Sequence, residues 1–343
     1  MRRLWITRMG PARSRMFIRL HLLCSMLALV GAACAWAGPV ERMDPALDRL
    51  ISTTSPLVPL KRQPDGFFEG PSWVGGRRGF LVISSIPDNQ LLKVDRRGIV
   101  GILVRDVVRH PSEDAIHDSL YTNRTLVGSN GTAAVGSHSL LVARFGGTGI
   151  ERIDLSTGKR TVIASGTGKT PFQEPNDIVI GPRGDAYFSA KEGLFRLRGK
   201  KVTLLRSMHA NGLAFTPDGK ALYATDGVTK IIKIAINPDG SAGAVEPFVD
   251  TQADPTNDEF VDGMKVDSSG NLWAVGPGGV WIIDPDGHLL GRILAPVVQM
   301  PTGAHHRFTN LEFGGSDGMT LFLTAPGGIY SIQLAQPLRH RGR

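Results

Sequence analysis

The sequence predicts an all-β protein, a six-bladed β-propeller, from three observations: a recurring strand motif, its spacing, and a composition rich in turn residues. The motif opens on a polar residue, runs into a short apolar strand, turns through Gly-rich sequence and returns as a second strand. Copies begin at Glu69, Asn130, Asn176, Asn211, Asp262 and Thr309, as in EGPSWVGGRRGFLVISS, NGLAFTPDGKALYATDG and DGMKVDSSGNLWAVG. Their starts lie roughly 35 to 60 residues apart, the range in which one repeat forms one blade and stacked blades bury a shared core. The 343 residues include 42 Gly and 22 Pro and are 41% hydrophobic and 7% aromatic, the profile of a globular protein with frequent turns.

Taken in order along the chain, residues 1–37 read as an export signal. Arginines precede an apolar run from Leu20 to Ala35, and Ala35-Trp36-Ala37 offers a small-x-small cleavage site before Gly38. The run is too short and badly flanked for a membrane span. Translation from Met1 or from Met16 and a lipid on Cys34 are both open, although Gly31 occupies the position where a lipid-attachment motif requires a large aliphatic residue. The chain's two cysteines, Cys24 and Cys34, fall in this segment, so the exported protein is expected to have no disulfide, thiolate zinc site or cysteine nucleophile.

Residues 38–64 follow as an N-terminal segment. Within it Ser55 to Gln63, with two prolines that suit an edge position, is expected to add an outer strand to the last blade. The propeller then spans 65–335, and 336–343 form a basic tail. Between the first two copies, Arg105 to Ser129 breaks the period, either as a disordered surface loop or as a lid over the channel mouth. The formal charge of +8 resides in Arg2, Arg3, Arg8, Arg13, Arg15, Arg19 and the tail arginines Arg339, Arg341 and Arg343. The body is therefore close to neutral, which argues against a nucleic-acid partner. The expected partner is a small molecule, and the expected state is a monomer exported to the periplasm or beyond.

Three local patterns carry no chemistry. GTGKT at Gly166–Thr170 lacks the first glycine of a phosphate-binding loop, since Ile163 stands there, and Pro171 follows at once. No Gly-x-Ser-x-Gly nucleophile elbow is present. His305-His306 has neither helical metal-pair spacing nor a carboxylate partner nearby.

What remains is the opening position of each copy: Glu69, Asn130, Asn176, Asn211, Asp262 and Asn310. Singly, an Asn or Asp before a strand commonly forms a turn that satisfies backbone donors. In a propeller, however, equivalent positions become neighbours at one mouth of the central channel. Two carboxylates and several amides around one axis form a site for a hard cation, most simply calcium, which takes six to eight oxygens in flexible geometry. Zinc is the weaker choice without clustered His or Cys, and magnesium and manganese are further candidates.

These same residues carry a resemblance. EGPSW at Glu69, PNDIVIGPRGDAYFS at Pro175, NGLAFTPDGKALYATD at Asn211, VDGMKVDSSGNLWAVGPGGVWIIDPDG at Val261 and FGGSDGMTLFLTAPGGIY at Phe313 resemble the SMP-30/gluconolactonase (LRE-like) family of six-bladed propellers, over about residues 65–333. The resemblance implies a lactone or ester hydrolase in which Glu69, Asn176, Asn211 and Asp262 hold a divalent cation. By the same resemblance Asp262 activates water and Asn176 touches both metal and substrate. Asn130, Glu174 and Asn310, at or beside the channel mouth, are expected as further substrate positions. Glu174 replaces the Arg or Ser common in sugar lactonases and is expected to disfavour an acidic ligand. Ser85, Ala190 and Arg144-Phe145-Gly146 depart from the family pattern too, and a ligand-binding propeller without turnover is the alternative.

Overall fold

Each motif copy folds as an antiparallel pair whose second strand is buried along nearly its whole length, as in Ser139–Ala143, Ala186–Ala190 and Leu272–Gly276. Such strands read as continuous apolar runs because both of their faces pack on a neighbouring sheet. Burial falls off outward, so that Val100–Arg105, Lys201–Arg206 and Ala242–Asp250 are the exposed edges. The protein is an all-β propeller, seen in a computed structural model that describes residues 38–254, 260–296, 300–303 and 307–338. Residues 1–37, read above as an export signal, His305-His306 and the tail beyond Leu338 lie outside the described residues. No helix among the described residues is long and apolar enough to cross a membrane.

The strands form five sheets of four or more strands rather than the six separate blades expected. The cause is one long strand, Leu57–Val74, of 18 residues. Its first part pairs with Thr320–Gln333, from Leu57 opposite Ile332 to Phe67 opposite Pro326, and its second part pairs with Phe80–Ser85. What would be the first and last blades are therefore continuous in one six-stranded sheet, with register shifts between Arg62 and Phe67 and between Glu69 and Ser72. The same strand joins the two ends of the ring, and Ser55 Oγ adds a hydrogen bond to the Gln333 carbonyl at 2.9 Å.

Residues 39–51 carry no repeat period, yet they are built in. Val40–Arg42 adds a fifth strand to the sheet of Met264–Val266, Leu272–Gly276, Gly279–Ile283 and Leu289–Leu294. A short 3-10 turn, Pro45–Arg49, follows, opened by Asp44, whose carboxylate accepts from the Ala46 N–H. Leu47, Leu50 and Ile51 then enter the apolar cluster of Trp273, Ile293, Phe313 and Tyr330.

GTGKT makes the hairpin Gly166–Thr167/Thr170–Pro171, with no helix to aim at a phosphate. The break in the period is an ordered loop containing the hairpin His117–Asp118/Arg124–Thr125. Asp118 organises it by accepting from the N–H groups of Leu120, Tyr121 and Thr122. Arg124 anchors it to the first copy through Asp88 at 2.9 Å and Asp65 at 3.2 Å.

Candidate functional site

The opening residues come together because the residue after most of them is glycine. At Gly70 (φ +52°) an added Cβ would lie 2.2 Å from the Asn130 carbonyl oxygen, and at Gly131 it would lie 2.4 Å from that of Asn176. At Gly212 it would meet the Asp262 carbonyl at 2.1 Å, and at Gly263 the Asn310 side chain at 2.0 Å. Asp177 bridges the remaining gap, its Oδ2 accepting from Leu213 N–H at 2.9 Å, while Ser189 Oγ donates to the Asn211 carbonyl at 2.7 Å. Asn310 Nδ2 closes the circle on Glu69 Oε2 at 3.1 Å. Glu69, Asn130, Asn176, Asn211, Asp262 and Asn310 thus follow one another around the axis. Gly131→Ala is expected to cost about 1–3 kcal/mol by overpacking, a drop of several degrees in a thermal melt. An unchanged Tm would contradict the close approach.

The electrostatics of this ring are those of buried, crowded carboxylates. Glu69 is 3% exposed. Burial, and then repulsion from the Asp262 carboxylate, push its carboxyl up to about 8, against the hydrogen bonds from Gly70 N–H and Asn310. Asp262 is pushed up to about 6 by burial, while the Arg307 guanidinium and the Asn211 side chain pull it down. Asp177, directly after Asn176, is raised chiefly by burial and held back by Lys265. Deeper in the channel Glu312 reaches about 7, again by burial against the pull of Lys265. Lys265 and Glu312 line a cavity of about 330 Å³ together with Ser72, Trp73 and Thr132.

The polar side chains differ in how they are used. Asn176 and Asn211 are half-buried. Asn130 is 5% exposed and its Oδ1 accepts no hydrogen bond among the described residues. Asn310 is engaged at both ends of its amide, by Glu69 and by the Leu311 N–H, so it positions Glu69. Glu174 is corrected from a free negative charge to a paired one, since Lys191 Nζ donates to its Oε1 at 3.2 Å. A surface trio, Asp284, Asp286 and His288, also clusters. Asp284 there accepts from the N–H groups of Asp286 and His288, which makes it a turn.

One participant had no sequence signal. Arg307, 1% exposed, places Nη2 on Asp262 Oδ2 and Nη1 on the Phe260 carbonyl at 3.2 Å. Its guanidinium lies 3.6 Å from the Phe260 ring centre and 5.9 Å from that of Tyr121. Tyr121 belongs to the loop between the first two copies and packs edge-on to Phe67 at 6.0 Å. That loop therefore reaches the residues around Asp262. Glu312 had a weak signal, an acid two residues beyond an opening asparagine, where the strand period of two returns a side chain to the channel face, whereas Asp177, directly after Asn176, had none.

The donors of the ring fit a hard cation. Two buried carboxylates whose ionisation is penalised, two half-buried amides and an orphaned amide oxygen on Asn130 form an oxygen-only set. An all-β propeller with carboxylates and amides converging at one end of its channel is the class that fold and site define. The chain belongs to the SMP-30/gluconolactonase/LRE-like family, which it matches over residues 69–326. It is 26% identical over 324 residues to a gluconolactonase of Zymomonas mobilis, covering 86% of each chain. It is 32% identical over 162 residues to an L-arabinolactonase of Azospirillum brasilense, which covers 44% of this chain and 52% of that one. Among solved structures, a gluconolactonase from Xanthomonas campestris superposes with a TM-score of 0.70 at 24% identity, covering 86% of this chain and 94% of that one. A calcium-binding regucalcin from Agrobacterium tumefaciens does so with a TM-score of 0.64 at 20% identity, covering 83% and 97%. These two likenesses establish the fold.

Proposed function

We propose that the chain is an exported lactone hydrolase of the gluconolactonase type, in which Glu69, Asn176, Asn211 and Asp262 hold one divalent cation, most simply Ca2+. The observation that carries this reading is the pair of buried carboxylates, Glu69 and Asp262, each pushed up by burial, in a ring of amide oxygens. The names of the Zymomonas and Azospirillum relatives support a lactone as substrate, and regucalcin supports calcium. When bound, the cation supplies polarisation of the lactone carbonyl and stabilises the charge that grows on its oxygen as water adds.

The chain's own residues do the rest. Asp262 takes the proton from the attacking water as general base. Asn176 orients the substrate. Asn130 Oδ1, buried without a donor among the described residues, accepts from a substrate hydroxyl. Asn310 holds Glu69 in place. Export belongs to the same proposal, and mass spectrometry of the secreted protein should place its N-terminus near Gly38.

One observation favours a binding propeller without turnover: the Arg307 guanidinium sits on the carboxylate that has to act as base. The two readings separate in a screen of sugar, aliphatic and aromatic lactones. Cation-loaded protein is expected to open at least one of them, and chelated protein to lose that activity. Binding of a lactone with no hydrolysis at any cation concentration would reject the hydrolase.

A further inference from the structure

Arg307 is the one site residue that resembles neither a cation ligand nor ordinary core. Its guanidinium is almost fully buried, yet it makes hydrogen bonds to Asp262 and to the Phe260 carbonyl only, and Nε has no partner among the described residues. A permanent structural arginine at that depth is expected to satisfy its donors, because each one left unmade costs the full desolvation of that group. The guanidinium already lies over the ring face of Phe260, with that of Tyr121 farther off, and this attraction holds it without a carboxylate beneath.

The contact also falls on the oxygen where it matters. Nη2 occupies Asp262 Oδ2, and Asp262 is one of the two carboxylates in the proposed cation set. A divalent cation on that carboxylate and a guanidinium in hydrogen-bond contact with it are like charges within a few ångströms, beside carboxylates that are themselves buried. Both cannot keep their full interaction.

We infer that Arg307 is a built-in counter-cation for Asp262, which a divalent cation has to displace, so that this side chain sets the cation affinity of the ring. The inference rests on the cation reading of the ring given above. It assigns Arg307 a role in ligand competition. A merely structural role predicts the opposite sign on mutation, because loosening the site around Asp262 would weaken cation binding.

The test is calcium titration of chelated protein by calorimetry, on the wild type, Arg307→Gln and Arg307→Lys. Removing the guanidinium is expected to tighten calcium binding at least tenfold. Lysine, a point charge too short to reach both Asp262 and the Phe260 carbonyl, is expected to fall between. Equal or weaker affinity in Arg307→Gln overturns the inference and leaves the cation site standing. If neither wild type nor variant binds calcium, magnesium, manganese or zinc, the cation reading fails and takes the inference with it. Should Arg307→Gln not fold, wild-type protein decides by phenylglyoxal labelling mapped by mass spectrometry. Arg307 is expected to be protected in chelator and to react at least fivefold faster at saturating calcium. The same low reactivity in both states overturns the displacement.

Discussion

Replacing Asp262 by Asn is expected to lower lactone turnover by roughly two orders of magnitude or more, the usual range for a lost general base. The change keeps an oxygen that can face a cation while removing the negative charge and the ability to accept a proton from water. A second consequence follows from the neighbour. Arg307 loses the only carboxylate with which it forms an ion pair among the described residues, and breaking a buried pair costs about 3–5 kcal/mol. Chelated Asp262→Asn protein should therefore melt below wild type even where its activity is not assayed. Glu69→Gln is the control, because Glu69 is assigned coordination alone. Its activity is expected to fall at limiting cation and return at saturating cation, whereas activity lost at Asp262 stays lost. Equal recovery of both variants would make Asp262 a ligand only.

The second large effect concerns pH. Glu69 and Glu312 are carboxyls whose folded values, about 8 and about 7, lie above their ordinary value of 4.5. Between the ordinary and the raised value the folded protein holds protons that the unfolded chain has released, so stability falls as pH rises through that window. Carboxyls with lowered values, such as Asp154 at about 2, act at more acidic pH and do not offset this. Cation-free protein is expected to lose roughly 5–10 °C in Tm between pH 5.5 and pH 8.5. Saturating calcium should remove most of the loss, because the cation takes the place of the protons on the ring. The loss should also shrink in Glu69→Gln, which has no proton to release. A flat or rising Tm over this range without cation would contradict the assigned burial.

The repeat was legible because a propeller writes the same local problem several times. Each copy needs an inner strand, a tight turn and a doubly packed second strand, and a polar residue followed by glycine where neighbouring strands crowd the axis. Glu69, Asn130, Asn176, Asn211, Asp262 and Asn310 could be placed around one mouth from that register alone. The number of separate sheets was not legible. It depends on whether the chain breaks between Gln63 and Phe67, and in the structure Leu57–Val74 runs through that stretch as one strand with a register shift, Arg62 opposite Gly328 and Phe67 opposite Pro326. Val40–Arg42 was missed since a three-residue strand has no period to detect. Arg307 was missed for a different reason. It precedes the last repeat, outside the register, and its partners Asp262, Phe260 and Tyr121 are distant in sequence. Glu174 was read as an open charge because Lys191, which pairs with it, lies beyond the next two strands.

The central claim is that this ring holds a divalent cation, and calcium titration of chelated protein at pH 7.5, read by calorimetry and thermal melting together, tests it most directly. The account predicts saturable binding at one site per chain with a rise in Tm that grows with free calcium, since a ligand at a hundred times its Kd stabilises by about 2.7 kcal/mol. It also predicts that combining Glu69→Gln with Asp262→Asn abolishes both signals. No heat and no shift in the wild type with calcium, zinc, magnesium or manganese, or binding that survives in the double variant, would contradict it.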